Sequence, residues 1–472
     1  MVEIKFIGAA QTVTGSKHLL QTSRASVLMD CGLFQGHRQE SYEKNRNLKI
    51  ETGNMSLKLD AVVLSHAHID HSGALPCLYK IGFRGPIYAT PATRDLCTPM
   101  LLDTANIMRS DAEHIQKLIS RGVQHLEPVE PLYNELEVLA TMAIFKEVPY
   151  HKKQEIAPGI SLTFFDAGHV LGSAISVFDI EDEGRKLRLA FTGDLGRRHL
   201  PILCDPEIPT EISCLLTEST YGNHLHEPIE LSTEIFAEVI NRTVQRGGKI
   251  VIPSFALERA QEVIFALKKL HDQKRIPSLP VYVDSPLTVK LTEVFKKHSE
   301  CYNSEAFKLL ESEHSPFEFP LLKYISSVED SKMISTTQES CIIISASGMC
   351  EGGRILHHLI ATVEDPKNTV IIVGFQAENT LGRRIVEKRP EIKIFGIMHK
   401  LQAEVCVLNG FSAHADQNGI LSFVEAVKKQ GSLEKIFLVH GEPAPQLALK
   451  TKLQEQGFSS VEIPATGDVI KL

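Results

Sequence analysis

Between Leu64 and Gly73 the chain reads Leu-Ser-His-Ala-His-Ile-Asp-His-Ser-Gly, which puts His66, His68, Asp70 and His71 within six consecutive positions. Imidazole and carboxylate are the side chains that bind a borderline divalent ion such as zinc, and four of them this close imply one centre or two adjacent ones. A surface loop can also carry histidines for solubility alone. Here the apolar run Ala61 to Leu64 leads straight into the cluster, so the candidate ligands stand where a buried strand emerges.

Other strand-like runs end in the same way. Ser26 to Asp30 ends on an aspartate, Ser161 to Asp166 leads to His169, and Leu187 to Phe191 leads to Asp194. Cys214 to Thr217 precedes Glu218, Val405 to Leu408 precedes His414, and Ile436 to Val439 precedes His440. A lone His or Asp after a strand is usually a turn residue. The repetition points instead to side chains gathered on one edge of a sheet, where α/β proteins place their sites.

The elements that position these residues fall into two textures. The first forty residues alternate strand and turn, with Ile4 to Gly8 and Lys17 to Gln21 as strands, and Thr93 to Arg121 reads as a helix packed on the core. From about Asp205, helices alternate with short apolar strands: helix Leu231 to Gln245, strand Lys249 to Ile252, helix Ala256 to His271, strand Val281 to Val283. Strands Cys341 to Ile344, Thr369 to Val373 and Ile392 to Ile397 are expected to continue the series as a parallel sheet with helices on both faces. The last eighty residues return to the first style, so the middle is expected to be an insertion.

Composition excludes several classes. The chain has 472 residues, 43% hydrophobic and 23% charged, enough for two domains and without low-complexity tracts. Nine cysteines, odd in number and lacking Cys-x-x-Cys spacing, argue against a disulfide scaffold and for a reducing, cytoplasmic setting. No segment has the apolar length of a membrane span. The formal net charge is −8, but 241 to 300 holds eleven Lys or Arg against six Asp or Glu, and 381 to 400 six against two, local sums of +5 and +4. Such runs are solvated helix faces or a surface for an anionic chain.

Taken together and in order, Asp30, His66-Ala67-His68-Ile69-Asp70-His71, His169, Asp194, Glu218 in Thr-Glu-Ser-Thr-Tyr-Gly, His414 in Phe-Ser-Ala-His-Ala-Asp and His440 in Leu-Val-His-Gly-Glu resemble the metallo-β-lactamase superfamily and, within it, the β-CASP ribonucleases. Pro253-Ser254-Phe255-Ala256-Leu257, Arg259-Ala260-Gln261 and Ser345-Ala346-Ser347-Gly348-Met349 extend the likeness over essentially the whole chain. The resemblance implies an α/β architecture: an αββα sandwich from residues 1–205 and 396–472, and an inserted β-CASP parallel-sheet domain over 206–395 that caps the metal edge.

It also implies two zinc ions per chain. One would be held by His66, His68, His169 and Asp194, and the other by Asp70, His71, Asp194 and His440, with Asp194 bridging and Asp30 fixing a ligand from behind. Two ions roughly 3.5 to 4 Å apart suit phosphodiester cleavage. Catalysis would fall to Asp70, which orients the nucleophile, to His414, which protonates the leaving ribose oxygen, and to Glu218, which orients His414. Ser347, Gly348, Met349, Arg354 and Arg259 would contact substrate phosphates. The expected activity is hydrolysis of single-stranded RNA, internally, from the 5′ end, or both, with no membrane partner and a homodimer left open. DNA cleavage, or hydrolysis of a small molecule on the same fold, are the alternatives.

Overall fold

The computed structural model describes residues 2–36, 38–46, 48, 59–123, 127–312, 315–374 and 376–472. The chain divides into two compact units. One comprises Met1–Arg198, Asp205–Leu225 and His414–Leu472, and the other His199–Cys204 and His226–Ala413. The stretch 206–225, expected with the insertion, thus packs in the first unit, and 396–413 in the second.

The first unit contains two seven-stranded sheets. In one, Glu3–Gly8, Lys17–Gln21, Ser26–Met29, Ala61–Val63, Ile87–Ala89 and Phe145–Glu147 are successive neighbours, with Val469–Lys471 beside the first. In the other, Gln154–Ala157, Ile160–Asp166, Ala174–Asp182, Arg185–Phe191, Cys214–Glu218 and Lys435–Val439 follow one another, with Val461–Glu462 last.

Strand periodicity explains the layering. Leu189, Phe191, Leu216, Phe437 and Val439 join Phe6, Leu20, Val27 and Met29 in a core shared by the two sheets. The alternate residues Ala190, Leu215 and Leu438 pack outward against Ile420, Val424 and Leu449 of helices Gln417–Lys429 and Pro443–Glu455. Phe164, Phe178, Phe191 and Phe437 are almost wholly buried, each contributing roughly 1.5–3 kcal/mol of transfer free energy. Helix Pro91–Ser120, with Thr90 as its N-cap, packs on helix Glu135–Met142 and strand Phe145–Glu147.

The second unit is built on a six-stranded sheet in the order Leu322–Tyr324, Val281–Val283, Ile342–Ser345, Ile250–Pro253, Thr369–Ile372, Glu404–Val407. Every pairing in it is parallel. Val251, Ile343 and Val370 face a core with Ile355, Leu359, Leu381 and Ile385, and the alternate Ile250, Ile252, Ile342 and Ile344 are buried as well. That is why these strands read as unbroken apolar runs.

Two expectations are corrected here. Ile392 to Ile397 does not continue the parallel sheet: Glu391–Ile394 and Ile397–Lys400 form an antiparallel hairpin. The turn is Phe395-Gly396, with φ of 47° and 85°, the two positive values that a tight two-residue hairpin turn demands. Val405 to Leu408 does not return to the first fold either. As Glu404–Val407 it pairs with Thr369–Ile372 at the margin of the six-stranded sheet. Among the described residues no helix is long and apolar enough to cross a membrane, and no two cysteines are joined in a disulfide.

Candidate metal centre

Arg185–Phe191, Cys214–Glu218 and Lys435–Val439 are parallel neighbours, so Asp194, Glu218 and His440 leave the sheet at one edge. His169 follows Ile160–Asp166, and the sister sheet delivers Asp30 and the His66–His71 segment from the parallel strands Ser26–Met29 and Ala61–Val63. The chain turns sharply where it releases ligands, with φ of 58° at Asp30 and 47° at His440. At Gly193, φ is 54° and an added Cβ would stand 2.5 Å from the Cβ of Ser65. Only glycine lets the Asp194 strand end approach the histidine segment this closely.

The side chains form two adjoining sets. In the first, His68 Nδ1 lies 3.1 Å from His66 Nε2 and 3.3 Å from His169 Nε2, while Asp194 Oδ2 is 3.6 Å from both His66 Nε2 and His169 Nε2. In the second, His440 Nε2 lies 3.2 Å from His71 Nε2 and 3.4 Å from Asp70 Oδ2, and Asp194 Oδ1 is 3.3 Å from His71 Nε2. Asp194 therefore turns one oxygen to each set. Asp70, His71 and His440 form one group of candidate ligands, and His66, His68, His169 and Asp194 another.

Asp30 sets the tautomers. Its carboxylate is fully buried and accepts from Ser16 Oγ at 3.1 Å, from Ser65 N at 2.8 Å and from Ser65 Oγ at 3.0 Å. It also lies 2.7 Å from His71 Nδ1. Because the Ser65 hydroxyl gives its proton to Asp30, it accepts from His66 Nδ1, 3.0 Å away. Both histidines thus carry a proton on Nδ1, which leaves Nε2 as the atom each turns to the centre. The sequence pointed to Asp30 but not to Ser16, Ser65 or Thr220, whose hydroxyl is 3.2 Å from His440 Nδ1. The serines adjoin strand ends, and their only signal is that position. We expect Asp30→Asn, which keeps the left-handed backbone that Asn tolerates, to weaken metal affinity about 10- to 100-fold when measured by competition with a chromogenic chelator. Unchanged affinity would leave Asp30 a turn residue only.

Burial drives the electrostatics. It lowers His68 to about 4 and holds His66 and His169 well below the usual imidazole range, so all three are neutral donors at pH 7. Burial opposes the charged form of His71, yet Asp194 and Asp30 outweigh it and raise that ring well above its ordinary value. His414 follows the same logic: burial disfavours its charge, but the Glu218 carboxylate 3.0 Å from Nδ1 raises it to about 9. Glu218 is itself fully buried and accepts from Leu195 N at 2.6 Å.

The donor set fits divalent cations. Two nitrogens about 2.1 Å from one ion at a tetrahedral angle stand about 3.4 Å apart, close to the spacings here. Among the described residues the buried His169 Nδ1 has no hydrogen-bond partner, and rings facing one another nitrogen to nitrogen without enough protons to share would otherwise be costly.

The expected phosphate contacts lie in the other unit. Ser347 Oγ is engaged in its own turn, accepting from Glu351 N and Gly352 N and donating to Gly352 O. Among the described residues the amides of Gly348 and Met349 have no hydrogen-bond acceptor. Arg354 is held by the buried Asp284 at 2.6 Å, and Arg259 is buried against Glu262. Most cations of the 241–300 stretch are likewise neutralised: Arg242 and Arg246 by Glu404, Arg275 by Glu234, Lys268 by Asp272, Lys269 by Glu305, Lys296 by Glu293 and Glu318.

The chain is similar to known proteins over most of its length. A metallo-beta-lactamase superfamily domain matches residues 19–192, a Beta-Casp domain 260–385, and a Zn-dependent metallo-hydrolase RNA specificity domain 398–464. The chain is 36% identical to a protein named Ribonuclease TTHA0252 from Thermus thermophilus over 95% of each. It is 30% identical to an RNase J-like protein from Methanocaldococcus jannaschii over 100% of each. With the transcription termination factor FttA of Methanosarcina mazei it shares 32% identity over 98% of this chain and 71% of that one. A crystal structure of a protein of unknown function from Enterococcus faecalis V583 has the same fold, with TM-score 0.56 at 14% identity over 100% of both chains. Fold, candidate metal centre and domain order define a metallo-hydrolase of the metallo-β-lactamase superfamily. As its motifs implied, the chain belongs to the β-CASP family within it.

Proposed function

We propose that this chain is a two-zinc ribonuclease that hydrolyses phosphodiester bonds of single-stranded RNA in cytoplasmic RNA processing or decay. The observation that carries the reading is Asp194, whose two oxygens face two separate sets of imidazole and carboxylate donors. The first set would hold one ion through His66, His68, His169 and Asp194, and the second another through Asp70, His71, His440 and Asp194. Bound there, the ions would supply Lewis-acid activation of water and neutralise phosphoryl charge.

The protein's own groups do the rest. Asp70, about a fifth exposed, orients the attacking water and takes its proton. His414 Nε2 lies 4.0 Å from Asp194 Oδ2 and has its other nitrogen on Glu218. Already protonated at neutral pH, it gives that proton to the ribose oxygen as the P–O bond breaks. Because Arg259 and Arg354 are held in ion pairs, the phosphate contact would fall to the Ser347–Met349 turn, whose bare amides suit a phosphate oxygen. Such a contact would serve internal cleavage, 5′-to-3′ trimming, or both.

The deciding experiment is incubation with matched, 5′-labelled RNA and DNA strands, with and without a chelator. We expect cleavage of RNA alone, abolished by chelation and restored by zinc. Equal cutting of DNA would overturn the RNA assignment, and cutting in excess chelator would overturn the metal mechanism.

A further inference from the structure

The hairpin of the second unit has a chemistry that the metal centre does not use. Its core face is apolar, with Ile392 and Ile394 buried. Strand alternation puts Lys393 on the other face, where Met398 is paired with Lys393 and Lys400 with Glu391. Phe395, at the turn, is 58% exposed, and Met398 53%. The Phe395 ring lies 5.0 Å from that of His357, tilted by 43°.

Charge completes the pattern. Of the six cations between 381 and 400, Arg383 and Arg389 are taken by Glu387. Lys388, Lys393 and Lys400 are exposed and form no ion pair among the described residues. Lysine on the open edge of a two-stranded ribbon can serve simply to discourage strand addition. An exposed phenylalanine at the tip has no part in that, and a lysine–aromatic surface is what single-stranded nucleic acid binds, bases stacking on rings while cations follow the phosphates.

We infer that this hairpin is a docking ribbon for single-stranded RNA, in which Phe395, with His357 beside it, stacks an unpaired base and Lys388, Lys393 and Lys400 hold the backbone. The inference rests on RNA being the substrate. It adds a second point of contact, so long strands gain affinity that a single scissile bond does not provide.

The test is binding of a long single-stranded oligoribonucleotide, read by fluorescence anisotropy in EDTA so that nothing is cut. We expect Phe395→Ala to weaken binding about tenfold and Phe395→Trp to keep it. The double variant Lys393→Gln/Lys400→Gln should lower the slope of log K against log salt by about 1.4. All three should hydrolyse bis(p-nitrophenyl) phosphate like wild type once metal is restored. If Phe395→Ala alone fails to fold, the lysine variant and its salt slope decide the matter. Equal RNA binding by wild type and the variants overturns the docking ribbon. So does loss of self-association by Phe395→Ala with RNA affinity unchanged, which would assign the face to a second copy of the chain. Hairpin-dependent binding of RNA that zinc-loaded protein does not cut would defeat the nuclease reading and leave the ribbon standing.

Discussion

Asp194→Asn should lose both metal ions and lower RNA cleavage by at least about a thousandfold. The substitution keeps the shape but leaves one acceptor oxygen where two are needed. An amide NH2 would face either the His66–His169 pair or the His71–His440 pair, and a donor there repels a cation instead of binding it. Loss of charge stabilisation at the phosphoryl group amounts to several kcal/mol, and about 4 kcal/mol is a factor of a thousand in rate. Elemental analysis after dialysis, together with cleavage of labelled RNA, checks both halves. A variant retaining two ions, or one ion with near-native rate, would refute the bridge.

His414→Ala and Glu218→Gln should each lower kcat by about 10²- to 10⁴-fold with metal content unchanged. The two side chains act as one unit, so the double variant should be little worse than either single one. The pH profile separates this role from a structural one. With His414 raised to about 9, the wild-type rate should hold through neutrality and fall as the ring loses its proton on the alkaline side. Glu218→Gln removes the carboxylate that supports the charge, so the fall should move to lower pH. Loss of metal in His414→Ala would make it a ligand, and an unmoved alkaline limb in Glu218→Gln would separate the pair.

Candidate site positions were legible because the sequence leaves them at strand ends: Asp30, His169, Asp194, Glu218 and His440 each stand at or within three residues of one. What brings them within a few ångströms was not. The pairing of Cys214–Glu218 with Lys435–Val439 joins residues about 220 apart, and no local pattern encodes a partner at that distance. Nor could the support behind the ligands be seen, since Ser65 acts on His66 only once Asp30 has folded across from it. Among apolar runs, Val281–Val283 was read to the residue, whereas Ile392 to Ile397 was mistaken for one strand because Phe395 conceals a turn between two alternating halves. Charge density misled in a similar way. Counting lysines and arginines over 241–300 finds the cations but not the acids that neutralise them across helix surfaces.

The strand that carries His440 has a consequence in time. Residues 66 to 218 supply seven of the nine groups of the candidate centre, and the other two, His414 and His440, come from far downstream. At about 5–20 residues per second of synthesis, a growing chain would hold an incomplete set for roughly 10–45 s after Glu218 has been made. During that interval a potential RNA hydrolase is attached to a ribosome and to the message being read. With His440 as a ligand and His414 as the proton donor, so late a placement would keep the nascent polypeptide harmless to its own template, with competence arriving when the strand before His440 docks beside Cys214–Glu218.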